Sequence, residues 1–121
     1  LTGHLINMTG SIQSSVAISI GFLLVLTLSK GAQTAPMVTL NIKDHLFYPA
    51  EFTVPADRKI KLLIINSDPT PEEFESYELN REKVIPGNSK AVIFIGPLRP
   101  GIYPFFGEFY PKTAQGRIVV K

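Results

Sequence analysis

The stretch that decides the fold is the carboxyl-terminal segment "GIYPFFGEFYPKTAQGRIVVK", residues 101–121. Two β-rich runs, "GIYPFFG" and "GRIVVK", flank a loop rich in turn-forming residues, which predicts two strands joined at one end of a sheet. Pro104 cannot donate a backbone hydrogen bond, so we expect the first strand to lie at an edge or to carry a bulge there. The loop contains neither cysteine nor histidine, two side chains that bind transition metals strongly.

The chain from Met37 onward repeats this pattern of short apolar runs separated by Pro, Gly, Asn and Asp. The run "KIKLLIINSD" places Ile60, Leu62 and Ile64 on one face, as a half-buried strand does. Turn signals recur about every 8–12 residues. The pattern predicts an all-β protein, an antiparallel β-sandwich of about seven short strands. A helical turn is expected only near residues 75–81.

Composition and charge exclude several classes of function. The 121-residue chain has a formal net charge of +2, and from Pro36 onward the balance is 11 − 10 = +1 because Lys30 is the one charged residue before it. The sequence contains no run of Lys or Arg, so we do not expect a nucleic acid partner. The absence of cysteine excludes disulfides, cysteine-ligated zinc, iron–sulfur clusters and a thiol nucleophile. With one histidine beyond the leader and no G-x-S-x-G motif or phosphate loop, we do not expect an enzyme.

Residues 1–35 are expected to be a targeting segment ahead of a domain at residues 36–121. Residues 16–28, "VAISIGFLLVLTL", form an uncharged apolar run of the length found in secretory signals, whereas a transmembrane helix needs roughly 20 such residues. We therefore expect a signal peptide and a periplasmic or otherwise extracytoplasmic protein. No Lys or Arg precedes the run, so an uncleaved membrane anchor at residues 16–28 is an alternative. A cytoplasmic protein with a buried N-terminal helix is another.

Strand direction predicts which loops meet. If the strands run alternately up and down in a simple topology, the turns that follow "VTLNIK", "KIKLLIIN" and "IYPFF" share one end of the sandwich. That arrangement brings together His45, the glutamates of residues 72–78, and Glu108 with Tyr110, although they lie far apart in the sequence.

Two segments, "FYPAEFTVPADRKIKLLIINSDPTPEEF" and the final "GxYxFxGxxYxxxxxG", resemble the cupredoxin fold of blue-copper proteins. The resemblance covers residues 37–121 and implies a Greek-key β-sandwich. It places the usual copper ligands on other residue types: the first histidine on Glu72, the cysteine on Gly107, the second histidine on Tyr110 and the axial methionine on Gln115. Of these four residues only Gln115 is a known alternative, at the axial position. A blue-copper centre also needs a cysteine thiolate, which this chain lacks. The resemblance therefore excludes blue-copper electron transfer.

A closer resemblance is to a cysteine-less bacterial branch of cupredoxin-like domains. Its motifs here are "KDHxFxP" at 43–49, "TPEEFES" at 70–76, "NREKVIPG" at 80–87, "GPLxPGxYxFFGEF" at 96–109 and "TAQG" at 113–116. Such domains resemble the N-terminal module of periplasmic iron-uptake proteins and occur as small exported proteins alongside iron permeases. This implies an exported protein that binds or handles a metal ion. The branch usually has "GEFHP" where this chain has "GEFYP", so Tyr110 replaces the expected histidine ligand.

Five residues are the candidate metal ligands: His45, Glu73, Glu75, Glu108 and Tyr110. Carboxylates suit hard or borderline ions such as iron, and imidazole suits copper, zinc, iron and nickel. A tyrosine phenolate suits ferric iron. We therefore expect a bound metal ion, iron or copper, without a blue-copper centre.

Each candidate ligand also has a structural interpretation. The glutamates of residues 72–75 form a solvated acidic loop in this alternative, and Glu108 pairs with Arg81 or Lys112. His45 is then a hydrogen-bonded structural histidine, and Tyr110 caps the sandwich with its ring.

Two functions remain open. One is an exported protein that handles iron or copper for uptake or trafficking, together with a membrane metal permease or another periplasmic uptake protein. The other is a metal-free periplasmic interaction domain that docks on a permease or partner protein. A metal assay on protein purified without a His-tag distinguishes them.

Overall fold

The structure is a computed structural model that describes residues 2–3, 10, 15–28, 31 and 34–121. The chain divides into two units, Leu1–Gly31 and Ala32–Lys121. In the first unit, residues 15–28 form neither helix nor strand, and their large apolar side chains are exposed. No helix among the described residues has the length and hydrophobicity needed to cross a membrane. The predicted targeting segment, residues 1–35, falls partly outside the described residues, and its cleavage stays a prediction.

Residues 34–121 form nine strands and no helix. The strand Ile60–Asn66 (β4) shows why most clearly, because buried and half-buried residues alternate along its whole length, as on a strand with one face against a core. The other strands are β1 (Met37–Lys43), β2 (Leu46–Tyr48), β3 (Glu51–Val54), β5 (Glu72–Ser76), β6 (Arg81–Ile85), β7 (Ser89–Ile95), β8 (Gly101–Gly107) and β9 (Gln115–Val120).

The strands form two sheets. One has the order β2-β1-β4-β7, and the other has the order β3-β9-β8-β5-β6. Most neighbours are antiparallel, but β1 pairs with β4, and β3 with β9, in parallel. The all-β sandwich predicted from the sequence is confirmed, with nine strands in two mixed sheets where the sequence predicted about seven antiparallel ones.

The core is centred on aromatic rings. Phe105 is 1% exposed, and its ring centroid lies 5.0 Å from that of Phe47 and 5.2 Å from that of Phe74. A Cβ on Gly116 would lie 2.2 Å from the Phe105 ring, so glycine is required beside it. Branched aliphatic side chains from both sheets surround the rings: Leu40, Ile42, Val54, Ile60, Leu62, Ile64, Ile85, Ile93, Ile95, Ile118 and Val120.

Pro104 lies in β8, an interior strand by strand order. The ladder between β8 and β5 includes only Phe106 and Gly107 of β8, so at Pro104 the strand is paired with β9 alone. The Pro104 carbonyl accepts a hydrogen bond from the Ser76 hydroxyl at 2.7 Å. β8 is therefore not the edge strand that was one of the two predicted outcomes, but the missing N–H falls at a residue that lies outside its ladder with β5.

Residues 75–81 do not form the expected helical turn. Strand β5 ends at Ser76, and residues 77–80 form a turn into β6 with Asn80 at a φ of 51°. The β5–β6 hairpin continues beyond this turn, since Ser76 pairs with Arg81 across it. Asparagine tolerates the left-handed conformation better than most residues, which favours a tight hairpin here.

Candidate functional site

The connection between β1 and β2 is a two-residue turn, Asp44 and His45. Their φ angles are 52° and 58°, the left-handed geometry of a type I′ hairpin turn. Asp68 stabilises this turn, since its Oδ1 accepts the Asp44 N–H at 2.8 Å and its Oδ2 accepts the His45 N–H at 2.9 Å. The loop after β4 thus fixes the backbone of the loop after β1.

The His45 side chain lies in an aromatic stack. Its ring is 3.5 Å from the ring of Tyr110, with an angle of 16° between the planes. Its Nδ1 is 3.6 Å from Asp68 Oδ2, and the side chain is 36% exposed. Tyr110 comes from the loop after β8, so the stack joins two of the loops that the sequence placed at one end.

Asp68 is ionised within this arrangement. It is 4% exposed, and burial alone would raise the pKa of its carboxyl group. The backbone N–H groups of His45 and Asp44, with the charges of His45 and Lys43, outweigh burial and hold the pKa below its ordinary value. The negative charge is therefore retained beside His45 at neutral pH.

Asn66 connects this end of the sandwich to β6. Its side chain is buried, and its Oδ1 accepts the Asp68 N–H at 3.0 Å. Its Nδ2 donates to the carbonyl of Thr70 at 2.9 Å and to that of Ile85 at 3.1 Å. The polar pair Asn66 and Asp68 therefore determines where the loop before β5 lies.

A separate group of carboxylates lies on β5 and β6. Glu73, Glu75 and Glu82 each offer an oxygen atom within 4.8 Å of the others. Glu75 and Glu82 are directly opposite each other in the β5–β6 ladder. Because the neighbours Glu72, Phe74 and Ser76 of β5 are buried, alternation leaves this group on the other face of β5. We call Glu73, Glu75 and Glu82 the carboxylate cluster.

Partial burial and like charges both raise pKa values in the carboxylate cluster. Partial burial and the charges of Glu82, Glu75 and Glu108 raise the pKa of Glu73. Partial burial and the charges of Glu82 and Glu108 also raise the pKa of Glu75. No ion pair among the described residues involves any of these four glutamates.

Glu108 is held beside this cluster by the backbone, because its N–H donates to the Glu73 carbonyl at 2.9 Å. The sequence offered Arg81 as a partner for Glu108, but the Arg81 guanidinium donates to the carbonyls of Phe94 and Asn80. The cluster therefore has no neighbouring base, among the residues described, that cancels its charge by direct contact.

The structure sorts the five predicted ligands into two groups. His45 and Tyr110 form the stack, whereas Glu73, Glu75 and Glu108 belong to the carboxylate cluster and its edge. No described group of three metal-ligating side chains includes His45, so a single site made from all five residues stays a prediction.

Two residues that matter were missed by the sequence analysis. Glu82 faces Glu75 across the hairpin, and the four-residue turn at 77–80 would have given this register had it been recognised. Asp68 holds the His45 turn, but in the sequence it stands in the segment "SDP", residues 67–69, which indicates no more than an ordinary turn. Its partners lie 23 and 24 residues away, and no local pattern indicates them.

The structure also tests the exclusion of a blue-copper centre, through the residues that stand at its ligand positions. Glu72 is 1% exposed. A Cβ on Gly107 would lie 2.6 Å from the Glu72 carboxylate and 2.8 Å from the Ala114 Cβ. A cysteine side chain at this position would therefore occupy the same volume as the Glu72 carboxylate.

The axial position does not fit such a centre either. Gln115 is exposed, and its Nε2 donates to the carbonyl of Pro111 at 2.9 Å. Together with the absence of any cysteine, the packing of Glu72 against Gly107 shows that the residues present do not fit a blue-copper centre.

The sequence comparisons give one family match and one relative. The sequence profile of the cupredoxin-like domain matches residues 16–120. The uncharacterized protein RP394 of Rickettsia prowazekii (strain Madrid E) is 48% identical over 83 residues, which cover 69% of this chain and 66% of that protein. This chain thus spans just under two thirds of the length of that relative.

Solved structures show the same fold at low sequence identity. The Cu(I)-bound metal-binding domain of the Cu(I)-exporting P-type ATPase CopA from Streptococcus pneumoniae D39 matches with a TM-score of 0.63 at 16% identity, over 70% of this chain and 84% of that one. Auracyanin A, a blue copper protein from Chloroflexus aurantiacus, matches with a TM-score of 0.63 at 12% identity, over 73% of this chain and all of its own. At such identities the matches show the fold alone.

Proposed function

The chain belongs to the cupredoxin-like domain family, and from this premise we propose that it is an exported protein that binds iron or copper as cargo. In this proposal the ion is bound for uptake or trafficking and is not a redox centre. Blue-copper chemistry is left out because a buried carboxylate packs against Gly107 and the chain has no cysteine. The copper-binding proteins with the same fold support copper as one candidate for the ion.

One observation carries the proposal: three carboxylate oxygens, from Glu73, Glu75 and Glu82, lie within 4.8 Å of one another, and no base among the described residues forms an ion pair with them. Partial burial, together with their mutual repulsion, raises the pKa values of Glu73 and Glu75. A multivalent cation at this place replaces repulsion with attraction and receives several oxygen ligands at once. Oxygen ligands of this kind favour hard and borderline ions, so iron is the ion we propose first.

His45 and Tyr110 provide a second set of donors in the proposal. The exposed part of the His45 ring offers an imidazole nitrogen, which suits copper. Asp68 lies at 3.6 Å from Nδ1 of the same ring, and a carboxylate in that place orients a metal-ligating histidine in many proteins. We propose that Cu(II) binds here, whereas iron binds at the carboxylate cluster.

The place of action is also a proposal. The apolar run at residues 16–28 fits an export signal, and the resemblance to iron-uptake modules points to the periplasm. There the domain would pass its metal ion to a membrane permease or to another periplasmic uptake protein. An open site on the face of a sheet suits such transfer, because a partner can reach the ion directly.

The test is a metal titration of protein purified without a His-tag. Iron is titrated as Fe(II) without oxygen and copper as Cu(II), each into the parent and into the double variant Glu73→Gln/Glu75→Gln. We expect the double variant to bind iron about tenfold or more weakly, since it loses two of three charged ligands. Glu78→Gln is the matched control, because Glu78 is exposed and lies in the turn outside the cluster.

The outcomes separate the two functions. Equal weakening by Glu78→Gln would mean that general charge and not the cluster attracts the ion. If neither metal binds the parent, the metal proposal fails. The metal-free interaction domain, docked on a permease or partner, then becomes the better explanation of the chain.

A further inference from the structure

Glu72 is the one buried side chain among the described residues with an oxygen that lacks a hydrogen-bond partner. It lies in β5 and is 1% exposed. Its Oε1 accepts the N–H of Glu73 at 2.9 Å and the N–H of Phe109 at 3.0 Å. Its Oε2 is the unpartnered atom. Burying a polar oxygen without a hydrogen bond costs free energy. The other contacts of the Glu72 side chain must therefore offset this cost.

Those contacts are with the loop that follows β8. Phe109 donates to Glu72 Oε1, and the preceding residue, Glu108, donates its N–H to the Glu73 carbonyl. Two consecutive amides of the loop are thus bound by two consecutive residues of β5. One of these two bonds depends on a side chain and the other does not.

Gly107 completes the arrangement. A Cβ at this position would lie 2.6 Å from both Cδ and Oε2 of Glu72, and 2.8 Å from the Ala114 Cβ. Real Cβ atoms essentially never show such distances, so the side chain of Glu72 occupies the volume that any larger residue at position 107 would need. The glycine is required here by close approach.

We propose that Glu72 is a positioning residue that fastens the loop of residues 107–114 to β5. Its Oε1 accepts the hydrogen bond of the Phe109 amide. Its Cδ and Oε2 occupy the volume that a side chain at Gly107 would fill, next to Ala114. The loop is thereby ordered without a metal ion. By holding Phe109, Glu72 keeps the next residue, Tyr110, beside His45, and this consequence rests on the proposed metal-binding function.

The decisive measurement is amide hydrogen exchange by NMR on the metal-free domain, comparing Glu72→Ala with the parent. We expect the Phe109 amide to exchange about tenfold or more faster, because it loses its hydrogen bond to the Glu72 side chain. The Glu108 amide is the internal control, because its acceptor is a backbone carbonyl. A purely general loss of stability would accelerate both amides alike and would overturn the proposal.

Glu72→Gln is the conservative variant. It keeps an oxygen in the place of Oε1 and the same shape against Gly107, so we expect the Phe109 amide to return to within about threefold of the parent rate. If Glu72→Ala fails to fold, this variant and the glycine variants below keep the proposal open to refutation. Exchange at Phe109 as fast in Glu72→Gln as in an unstructured loop would refute it.

Two glycines of β8 supply a matched pair. Gly107→Ala should displace the Glu72 carboxylate and accelerate exchange at Phe109. Gly101→Ala should have no such effect, because its Cβ would meet nothing nearer than 3.6 Å. In a Glu72→Ala background, Gly107→Ala should add less than it does alone, with a remainder from the contact with Ala114. Equal effects of Gly107→Ala in both backgrounds would refute the contact with Glu72.

The metal titration described above, repeated on Glu72→Ala, separates this inference from the proposed function. If the loop fastening and the function both hold, Cu(II) affinity falls about tenfold or more, as for other residues that orient metal ligands, whereas iron affinity stays close to that of the parent because Glu108 keeps its own backbone hydrogen bond. If exchange at Phe109 responds but no variant or parent binds metal, Glu72 still positions the loop and the proposed function fails. If the parent binds iron and exchange at Phe109 does not respond, the function stands and the inference is wrong.

Discussion

Replacing Asp68 by alanine tests how the end of the sandwich that carries His45 is held. Its two carboxylate oxygens each accept one backbone N–H of the left-handed turn, at 2.8 and 2.9 Å. A hydrogen bond to a charged group contributes about 1.5–3 kcal/mol, which gives about 3–6 kcal/mol for two. Asp44 is exposed, so water replaces part of the loss at its amide. We therefore expect the free energy of unfolding to fall by about 2–3 kcal/mol at pH 7.

The pH dependence of this loss has a definite sign. The pKa of Asp68 in the folded protein is lowered from its ordinary value of 3.8. A lowered pKa means that the carboxylate contributes stability above that ordinary value and loses this contribution as the pH falls through the folded-state pKa. The difference between parent and Asp68→Ala should thus be largest at neutral pH and should shrink below pH 3.8.

Urea unfolding at pH 7 and near pH 3, followed by circular dichroism, measures both effects. Asp68→Asn should be little better than alanine, because an amide offers one oxygen where two N–H groups need acceptors. Asp57→Asn is the control, since Asp57 is an exposed turn residue that also has a left-handed φ of 58°. An unchanged urea midpoint for Asp68→Ala at pH 7 would refute the reasoning.

Three further predictions concern the two groups of candidate ligands. In metal-free protein, Glu75→Gln should raise the melting temperature slightly at pH 7 and should reduce the stability gained on acidification toward pH 5, since a carboxyl group with a raised pKa destabilises the fold when it is ionised. Thermal melts at both pH values check this. A marked drop of the melting temperature at pH 7 would mean that Glu75 has a structural partner. Tyr110→His should strengthen Cu(II) binding, because it adds a nitrogen donor beside His45, and calorimetric titration giving the same affinity as the parent would argue against copper at the stack. Cu(II) added to the parent should give no intense visible band of a copper thiolate, because the chain has no cysteine; such a band in the absorption spectrum would contradict the ligand assignment.

The fold was predictable because most of its strands have a local sequence pattern of alternating apolar and polar residues. In β4 the alternation of Ile60, Leu62 and Ile64 with less buried residues is present in the sequence and is preserved in the burial pattern. The short strand β2 was predicted as part of the turn after β1, since three residues carry too little pattern to be recognised as a strand. The parallel pairing of β3 with β9 joins residues from opposite halves of the domain, and no local signal specifies it.

The site was predictable only in part, for a physical reason. The alternation of residue types in "EEFES" is enough to put Glu73 and Glu75 on one face of a strand with Phe74 on the other, and the burial pattern of β5 agrees with it. The stack of His45 on Tyr110, by contrast, depends on how the loops after β1 and β8 pack together, and on Asp68 in the loop after β4, which holds the His45 turn. The unusual place of Glu72 depends on a glycine 35 positions later in the chain. Such contacts follow from tertiary packing, which the order of residue types does not encode at short range.

The positions of the carboxylates explain why binding and ordering can be separate tasks in this domain. Glu72 is buried, its Oε1 is already engaged, and Gly107 and Ala114 pack against the rest of the group, so it orders a loop. Glu73, Glu75 and Glu82 are partly or fully exposed and carry charge that no described base neutralises, so they are the group with something to gain from a cation. A loop that is ordered before the ion arrives does not have to be ordered by it, and less of the binding free energy is then spent on conformation.

It follows that metal removal should leave the melting temperature of the parent nearly unchanged at low metal affinity, and differential scanning calorimetry with and without a chelator measures this. A collapse of the fold in the chelator would show that the ion itself orders the loop, contrary to the role assigned to Glu72.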